Sequence, residues 1–373
     1  MSAVIFTHTQ YQAEPLFPFS LTTAVEAIPG GMMTNRRRWE RIVENDLKNG
    51  TDARWFIPAS LLPSQQLVDQ LRAFSPGDFL QFESGAIIGY GASEADFSGS
   101  PVELLPQTPV DFIRYGWDIF EQNARLLHFD FTLLSQGREP APLAAGNQVT
   151  NGAQVFIEPG ADVRFSFINA EEGPVYISKN ALIMEGTCIR GPVFIGEGAV
   201  VKMGTRIYGG TTIGAFCTVG GEIKNSVLFP FSNKAHDGYL GDSVIGRWCN
   251  LGAGTSNSNL KNTAGNIRIT LPSGRYQAGM KCGVLMGDYS KAAINTSFNS
   301  GTVTGICANI FGKGLSPKWI PSFSWGYNDD TLYELPQALI HLERWMQTKK
   351  QILTTAEKEH ITHIYNQTKT KKS

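Results

Sequence analysis

Counting in sixes from Ile177 meets Ile183, Ile189, Ile195, Val201, Ile207, Ile213 and Val219, all aliphatic and β-branched. Four places after each stop stand Ala181, Thr187, Val193, Ala199, Thr205, Thr211, Cys217 and Ile223, nearly all small. One large and one small inward residue per six predicts a three-sided parallel β-helix, in which each hexapeptide makes a strand and a turn and three make a coil. The same register holds at Ile157 and Val163, and again at Ile245 and Leu251. It resumes at Met286, Ala292, Phe298, Thr304 and Ile310, so the repeat array is expected over residues 155–314.

Two stretches leave the period. Residues 225–238 read as a loop projecting from the prism, and residues 257–281 as a second insertion. Insertions on one side of a solenoid usually build its binding site. The front of the chain has another texture. Helical spacing covers residues 34–45, 64–74 and 109–127, and short apolar strands are expected at 3–6, 79–82 and 86–88, which together read as α/β. Residues 135–148, rich in Pro, Gly and Ala, read as a linker. An aromatic loop at 314–326 precedes a helical pattern from 330 to about 367, with Leu335, Leu339, Leu342, Trp345 and Met346 near one face. The expected domains are 1–145, 146–315 and 316–373.

Composition narrows the partners. A net charge of −1 argues against a broad nucleic-acid or acidic-membrane footprint, and the basic end TKTKKS reads as a solvated terminus. No window is apolar enough for a membrane span, and the first fifteen residues lack the basic and apolar regions of a signal peptide. Five cysteines without a CxxC pair fit free thiols in a reducing cytoplasm. Of six histidines only His236 falls in the repeats, so no zinc site is expected there.

Residues 233–262, NKAHDGYLGDSVIGRWCNLGAGTSNSNLKN, carry the chemistry. They resemble the acetyltransferase half of the bifunctional N-acetylglucosamine-1-phosphate uridylyltransferases. Those enzymes are trimers of left-handed β-helices that acetylate glucosamine-1-phosphate from acetyl-CoA and then couple the product to UTP. The matching positions are His236, Tyr239, Gly241, Asp242, Asn250, Gly252, Ala253, Gly254, Thr255 and Asn259, with Arg206, Glu222 and Lys224 upstream. The resemblance implies a left-handed prism, a homotrimer with sites between prisms, and acetyl-CoA or another acyl-CoA as donor. It implies His236, Glu222 and Ala253 as catalytic residues, with the Ala253 N–H facing the oxyanion. Arg206, Lys224, Tyr239 and Asn250 would bind the sugar phosphate, and Ala253 with Asn259 the acyl-CoA side. These assignments make chemical sense. A protonated amine must lose its proton to attack a thioester, which an imidazole titrating near ~6.5 is suited to accept. Cationic Arg and Lys suit a phosphate. Arg206 and Lys224 lie eighteen residues apart, one full coil, and are expected one above the other. Trp248 beside the motif either narrows the pocket or packs.

The front half resembles sugar nucleotidyltransferases over residues 15–31, PLFPFSLTTAVEAIPGG, but Thr23 and Val25 stand where that family has Arg and Lys. The Gly-rich phosphate loop is replaced by THTQYQAE. Leu61-Leu62-Pro63 and residues 117–123, WDIFEQN, are similar to a compact, divergent branch that joins such a domain to such a β-helix. Arg36, Arg37 and Arg38 read as a solvated basic face. The resemblance therefore implies a reduced nucleotidyltransferase-like α/β domain, a left-handed parallel β-helix and a C-terminal helix. The partner is a sugar phosphate or nucleotide sugar. Three functions follow: CoA-dependent acyl transfer at the prism, nucleotidyl transfer with Mg²⁺ at the front, or a catalytically dead nucleotide-sugar-binding scaffold.

Overall fold

The computed structural model describes residues 3–8, 16–48, 52–327 and 331–370. From residue 148 to residue 320 the chain winds into a prism walled by parallel strands. The first wall has nine strands, from Val155–Ile157 to Trp319–Ile320. The second has eight, from Asp162–Val163 to Asn309–Ile310. The third has six, from Gln148–Thr150 to Tyr239–Gly241, and Ser256–Asn257 and Ser297–Phe298 continue it. The hexad aliphatics fill the interior, and from Ile177 to Val219 none is more than 2% exposed. Each buried aliphatic contributes roughly 1.5–3 kcal/mol relative to exposure. The column is continuous, so the walls cannot separate without opening it.

The corner between the first two walls repeats one backbone feature. Asn180, Phe216, Phe231, Trp248, Tyr289 and Cys307 all hold positive φ, between 53° and 67°. Such a conformation costs non-glycine residues roughly 1–2 kcal/mol each. Aromatic stacking offsets part of it: Phe216 lies 5.1 Å from Phe231, and Phe231 lies 4.4 Å from Trp248.

Residues 225–238 do not project. They supply the wall strands Val227–Leu228 and Asn233–Lys234. The period breaks because the coil is short. Ile207 pairs with Ile223 and Ile213 with Leu228, steps of sixteen and fifteen residues rather than eighteen. Two residues are lost at Gly220 and Gly221, between Val219 and Ile223, and one more between Ile223 and Leu228. A Cβ on Gly220 would meet the Ala235 carbonyl oxygen at 2.6 Å, and Gly221 has a φ of +75°. The register then places Lys234 over Val219, in an inward slot, wholly buried. Residues 257–281 are an insertion, built around an antiparallel hairpin of Arg268–Leu271 and Gly274–Gln277. Residues 135–148 do more than link. The Ala141 N–H donates to the Ile157 carbonyl at 2.7 Å, and Ala141 and Leu143 cover the open end of the core.

The front domain has a four-stranded sheet ordered Val4–Thr7, Arg54–Pro58, Ile87–Gly91, Phe79–Gln81, with only the first pair parallel. Its central strand, Arg54–Pro58, has no period-2 signal because both faces are covered. Helix α1 (Asn35–Asp46) starts at Thr34, whose hydroxyl accepts from the Arg37 N–H. Helix α2 is Gln65–Leu71. The helix expected over 109–127 is instead a short strand, Asp111–Phe112, followed by α3 (Asp118–Glu121) and α4 (Asn123–Ser135). The Asp118 carboxylate accepts from the Arg114 and Tyr115 N–H groups at 2.7 and 2.9 Å, which fixes a turn there.

This domain sits on the first wall, where Leu16, Phe19, Ile119 and Phe120 share a core with Val227, Phe229, Val244 and Leu285. A buried polar network fastens the joint. Arg38 Nε donates to Asp130 Oδ1 at 2.7 Å, with both side chains buried, so Arg38 is not part of a solvated basic face. The Met32 N–H donates to Asp130, and the Gly31 N–H to Asn123. Asn123 and Thr212 complete the link to the prism: Asn123 donates to the Gly210 carbonyl, and Thr212 to that of Gly31. The C-terminal segment forms two helices, α5 (Leu335–Gln347) and α6 (Thr355–Thr370). Leu342 and Met346 pack on Trp248, Tyr289 and Phe323, and Lys349 donates to Asn233 on the second wall at 2.9 Å. The third wall is left open, with Arg190, Arg206 and Lys224 exposed and Phe167 55% exposed.

Candidate functional site

The motif residues gather around one prism corner, between the second and third walls. His236 and Asp237 form the turn after Asn233–Lys234, and His236 is exposed. The next coil turns at Gly252–Gly254, directly stacked: the Gly254 N–H donates to the Asp237 carbonyl at 3.1 Å. His236 and Ala253 are thereby brought to one ridge. Below them lies the contracted Gly220–Gly221 turn, against which the His236 backbone is seated.

Lys234 supports this ridge from inside. Its ammonium donates to the carbonyls of His236 and Gly220, the latter at 3.4 Å. Burial pushes its amine down to about 8, since a charge in the prism interior loses its water. The sequence signal was present, a Lys at an inward hexad position, but the contraction hides the register that reveals it.

Arg206, Glu222, Lys224 and Tyr239 project from the third wall. The register differs from the eighteen-residue expectation. Arg206 lies beside Glu222, not Lys224, and Glu222 beside Tyr239. The two-residue contraction causes the shift, and Arg206 Nε meets Glu222 Oε2 at 3.3 Å. Glu222 thus faces a cation on one side and Tyr239 on the other. Burial, with Asp242 and Glu222 nearby, pushes the Tyr239 hydroxyl up to about 12, so it stays protonated. Asn259 donates to the Tyr239 hydroxyl at 3.1 Å and to Asp242 at 2.5 Å, while Asn225 donates to the other Asp242 oxygen at 2.7 Å. These amides fix the far edge of the third wall.

Asn250 stands apart. It lies on the second wall beside Asn233, on the opposite flank of the His236 ridge. Trp248 is also away from the ridge, packed under the C-terminal helices, so it does not narrow a pocket there. A cavity of about 500 Å³ runs along the lower third wall, reaching Arg206 and Tyr208 and floored by Phe167, Cys188 and Arg190. Within one chain the candidate residues therefore line an exposed ridge and an open wall rather than an enclosed pocket.

The front domain presents different chemistry. Thr23 accepts at its hydroxyl from Arg247 of the prism at 3.2 Å, and Val25 is buried in the interdomain core. Both positions thus serve the docking of the front domain on the prism. The segment that stands in place of the phosphate loop, residues 7–14, lies outside the described residues from 9 onward. Among the described residues no group of three or more His, Cys, Asp or Glu side chains is arranged to hold a metal ion. Of the buried front-domain acids, Glu26 pairs with Arg36 through one oxygen and Asp130 pairs with Arg38.

The sequence model of the sugar nucleotidyl transferase family matches residues 4–139. The chain is similar to the bifunctional protein GlmU of Methanocaldococcus jannaschii, 33% identical over 111 residues, 30% of this chain and 27% of that protein. It is also similar to a bifunctional sugar-1-phosphate nucleotidylyltransferase/acetyltransferase of Sulfurisphaera tokodaii, 33% identical over 91 residues, 24% of this chain and 23% of that one. The GlmU of Synechococcus elongatus is 27% identical over 167 residues, 42% of this chain and 33% of its own. The matched stretches thus span a third or less of each relative's length. The front of this chain is a nucleotidyltransferase-like domain, joined to a parallel β-solenoid and C-terminal helices.

Proposed function

We propose that this chain is a transferase of activated-sugar metabolism whose prism moves an acyl group from acyl-CoA to the amine of an amino sugar phosphate. The observation that carries this reading is the stacked ridge, with an exposed His236 beside the Gly252–Gly254 turn and with Arg206, Lys224 and Tyr239 on the adjoining open wall. In the proposed step the His236 imidazole takes the proton of the substrate ammonium, and the freed amine attacks the thioester carbonyl. The Ala253 N–H is assigned to the oxyanion of the tetrahedral intermediate. Collapse expels the CoA thiolate, which takes up the proton that the attacking nitrogen must still lose to become an amide, and the imidazolium releases its proton to water, so that amide, CoA thiol and one proton are the products. Arg206 and Lys224 hold the phosphate, Tyr239 and Asn250 the sugar, and Asn259 the acyl-CoA side. Glu222 is assigned to orienting Arg206. Because Asn250 and Tyr239 flank opposite sides of the ridge, the reading includes a neighbouring prism to close the site, in a homotrimer.

The test is acetyl transfer by the full chain from acetyl-CoA to glucosamine-1-phosphate. His236→Ala is expected to lower kcat about 10²–10⁴-fold, as loss of a general base does, without changing Tm. A rate unchanged by that substitution would falsify the assignment. Nucleotidyl transfer at the front domain is the second reading, favoured by the family match over residues 4–139. It is read as pyrophosphate release from UTP, Mg²⁺ and a sugar phosphate. The docking roles of Thr23 and Val25 count against it.

A further inference from the structure

The insertion 257–281 carries a feature that the ridge chemistry does not use. Between Asp242 and Asp288 the chain has no acidic residue and five cations, although the whole chain has a net charge of −1. The hairpin sorts its side chains by strand alternation. Ile269 and Leu271 are buried in the interdomain core, whereas Arg268 pairs with Gln277 and Thr270 with Arg275 on the opposite face. That outer face, with Lys261 and Lys318, lines a cavity of about 500 Å³.

Four cations thus surround one concavity, and no carboxylate lines it. Lys261 donates to the Asn266 carbonyl. Among the described residues Arg268, Arg275 and Lys318 have no hydrogen-bond acceptor or ion-pair partner for their side chains. Burial first, and Lys261 second, depress the Lys318 amine. Convergent like charges are mutually unfavourable, and they are relieved by an anion bearing several charges. The hairpin is seated on Gly301, where an added Cβ would meet Ile267 at 2.5 Å, so the concavity has a rigid floor.

We propose that this cleft binds the diphosphate of a nucleotide, with Arg268 and Arg275 forking onto its oxygens and Lys261 and Lys318 supplying point charges. Its size suits a small ligand rather than a macromolecular strand. The two sources with this chemistry are the pyrophosphate arm of a CoA thioester and a nucleotide sugar. The site stands independently of His236, because it is a matter of binding rather than proton transfer.

The experiment is equilibrium binding by calorimetry on the full chain, with inorganic pyrophosphate, CoA and UDP-N-acetylglucosamine, at low and moderate salt. The Arg268→Gln/Arg275→Gln double variant is expected to weaken pyrophosphate binding at least ~10-fold, and Lys318→Gln about 3–10-fold, with Tm unchanged because these side chains lie on the hairpin's outer face. Lys313→Gln, on an exposed loop outside the cleft, is the control. Whichever nucleotide gains most over pyrophosphate, and loses that gain in the double variant, is the occupant. No binding of pyrophosphate, or binding equal in the double variant and wild type, overturns the proposal. So does a short oligonucleotide that displaces pyrophosphate at lower concentration than either nucleotide. His236→Ala is expected to bind all three ligands as wild type does, so failure of acyl transfer and failure of this site are separable.

Discussion

The front domain and the prism make opposite use of their polar residues. In the front domain Arg38, Asp130, Asn123 and Thr23 are turned inward or toward the prism, and they hold the two units together. On the prism ridge and third wall His236, Arg206 and Lys224 are exposed. The contrast teaches that fold alone does not say where polar groups are presented: in the front domain they face the joint, and on the prism they face solvent. The half with the family match turns Thr23 and Val25 to the joint, while the open wall presents Lys224, and Arg206 beside Glu222, to solvent.

The comparison breaks most easily at His236. If the prism is the chemical half, His236→Ala lowers acyl transfer about 10²–10⁴-fold. Thr23→Ala should leave that rate within about 2-fold, since its hydroxyl only receives Arg247. A reversed ranking would move the chemistry to the front domain.

Next in size is the joint. Asp130→Ala strands Arg38 as an unpaired buried charge and is expected to cost about 3–5 kcal/mol of stability. Denaturant unfolding followed at a front-domain tryptophan and at a prism tryptophan should show both transitions moving together. A shift in the front-domain signal alone would mean that the two halves unfold separately.

Smaller is the contraction that sets the register. Gly220→Ala pushes a Cβ into the Ala235 carbonyl and is expected to cost about 1–3 kcal/mol. Because that turn underlies His236, kcat should fall more than Tm predicts. A pure stability effect would separate the turn from the site.

The smallest effect is a pH dependence at Lys234. Its folded-state amine is depressed to about 8, so the folded chain holds fewer protons than the unfolded chain above that pH. Stability from this group therefore rises with pH from about 8 to the ordinary lysine range. Lys234→Met, which keeps the length and removes the charge, should be as stable as wild type or more so at pH 7, with the gap narrowing by pH 10. A gap constant across that range would mean the amine is not titrating inside the prism.

Much of the architecture follows from the chain read in sixes. The array is visible because every coil repeats the same inward demand, and local spacing alone satisfies it. The ridge motif is also legible, since His236, Tyr239 and Ala253 sit within one run of residues. The strand Arg54–Pro58 was not, because a centrally placed strand covered on both faces loses the alternation that announces it. Nor was the buried pair Arg38–Asp130, whose members are ninety-two residues apart and read singly as surface charges. Register was decided only in three dimensions. Eighteen residues separate Arg206 from Lys224 in the sequence, yet the Gly220–Gly221 turn shortens that coil and sets Arg206 against Glu222. The sequence by itself determined the prism, its inward columns and the identity of the ridge residues, because these depend on near neighbours. The tertiary structure alone decided which walls are covered, which charges are paired and which groups face each other, because those depend on packing between distant segments.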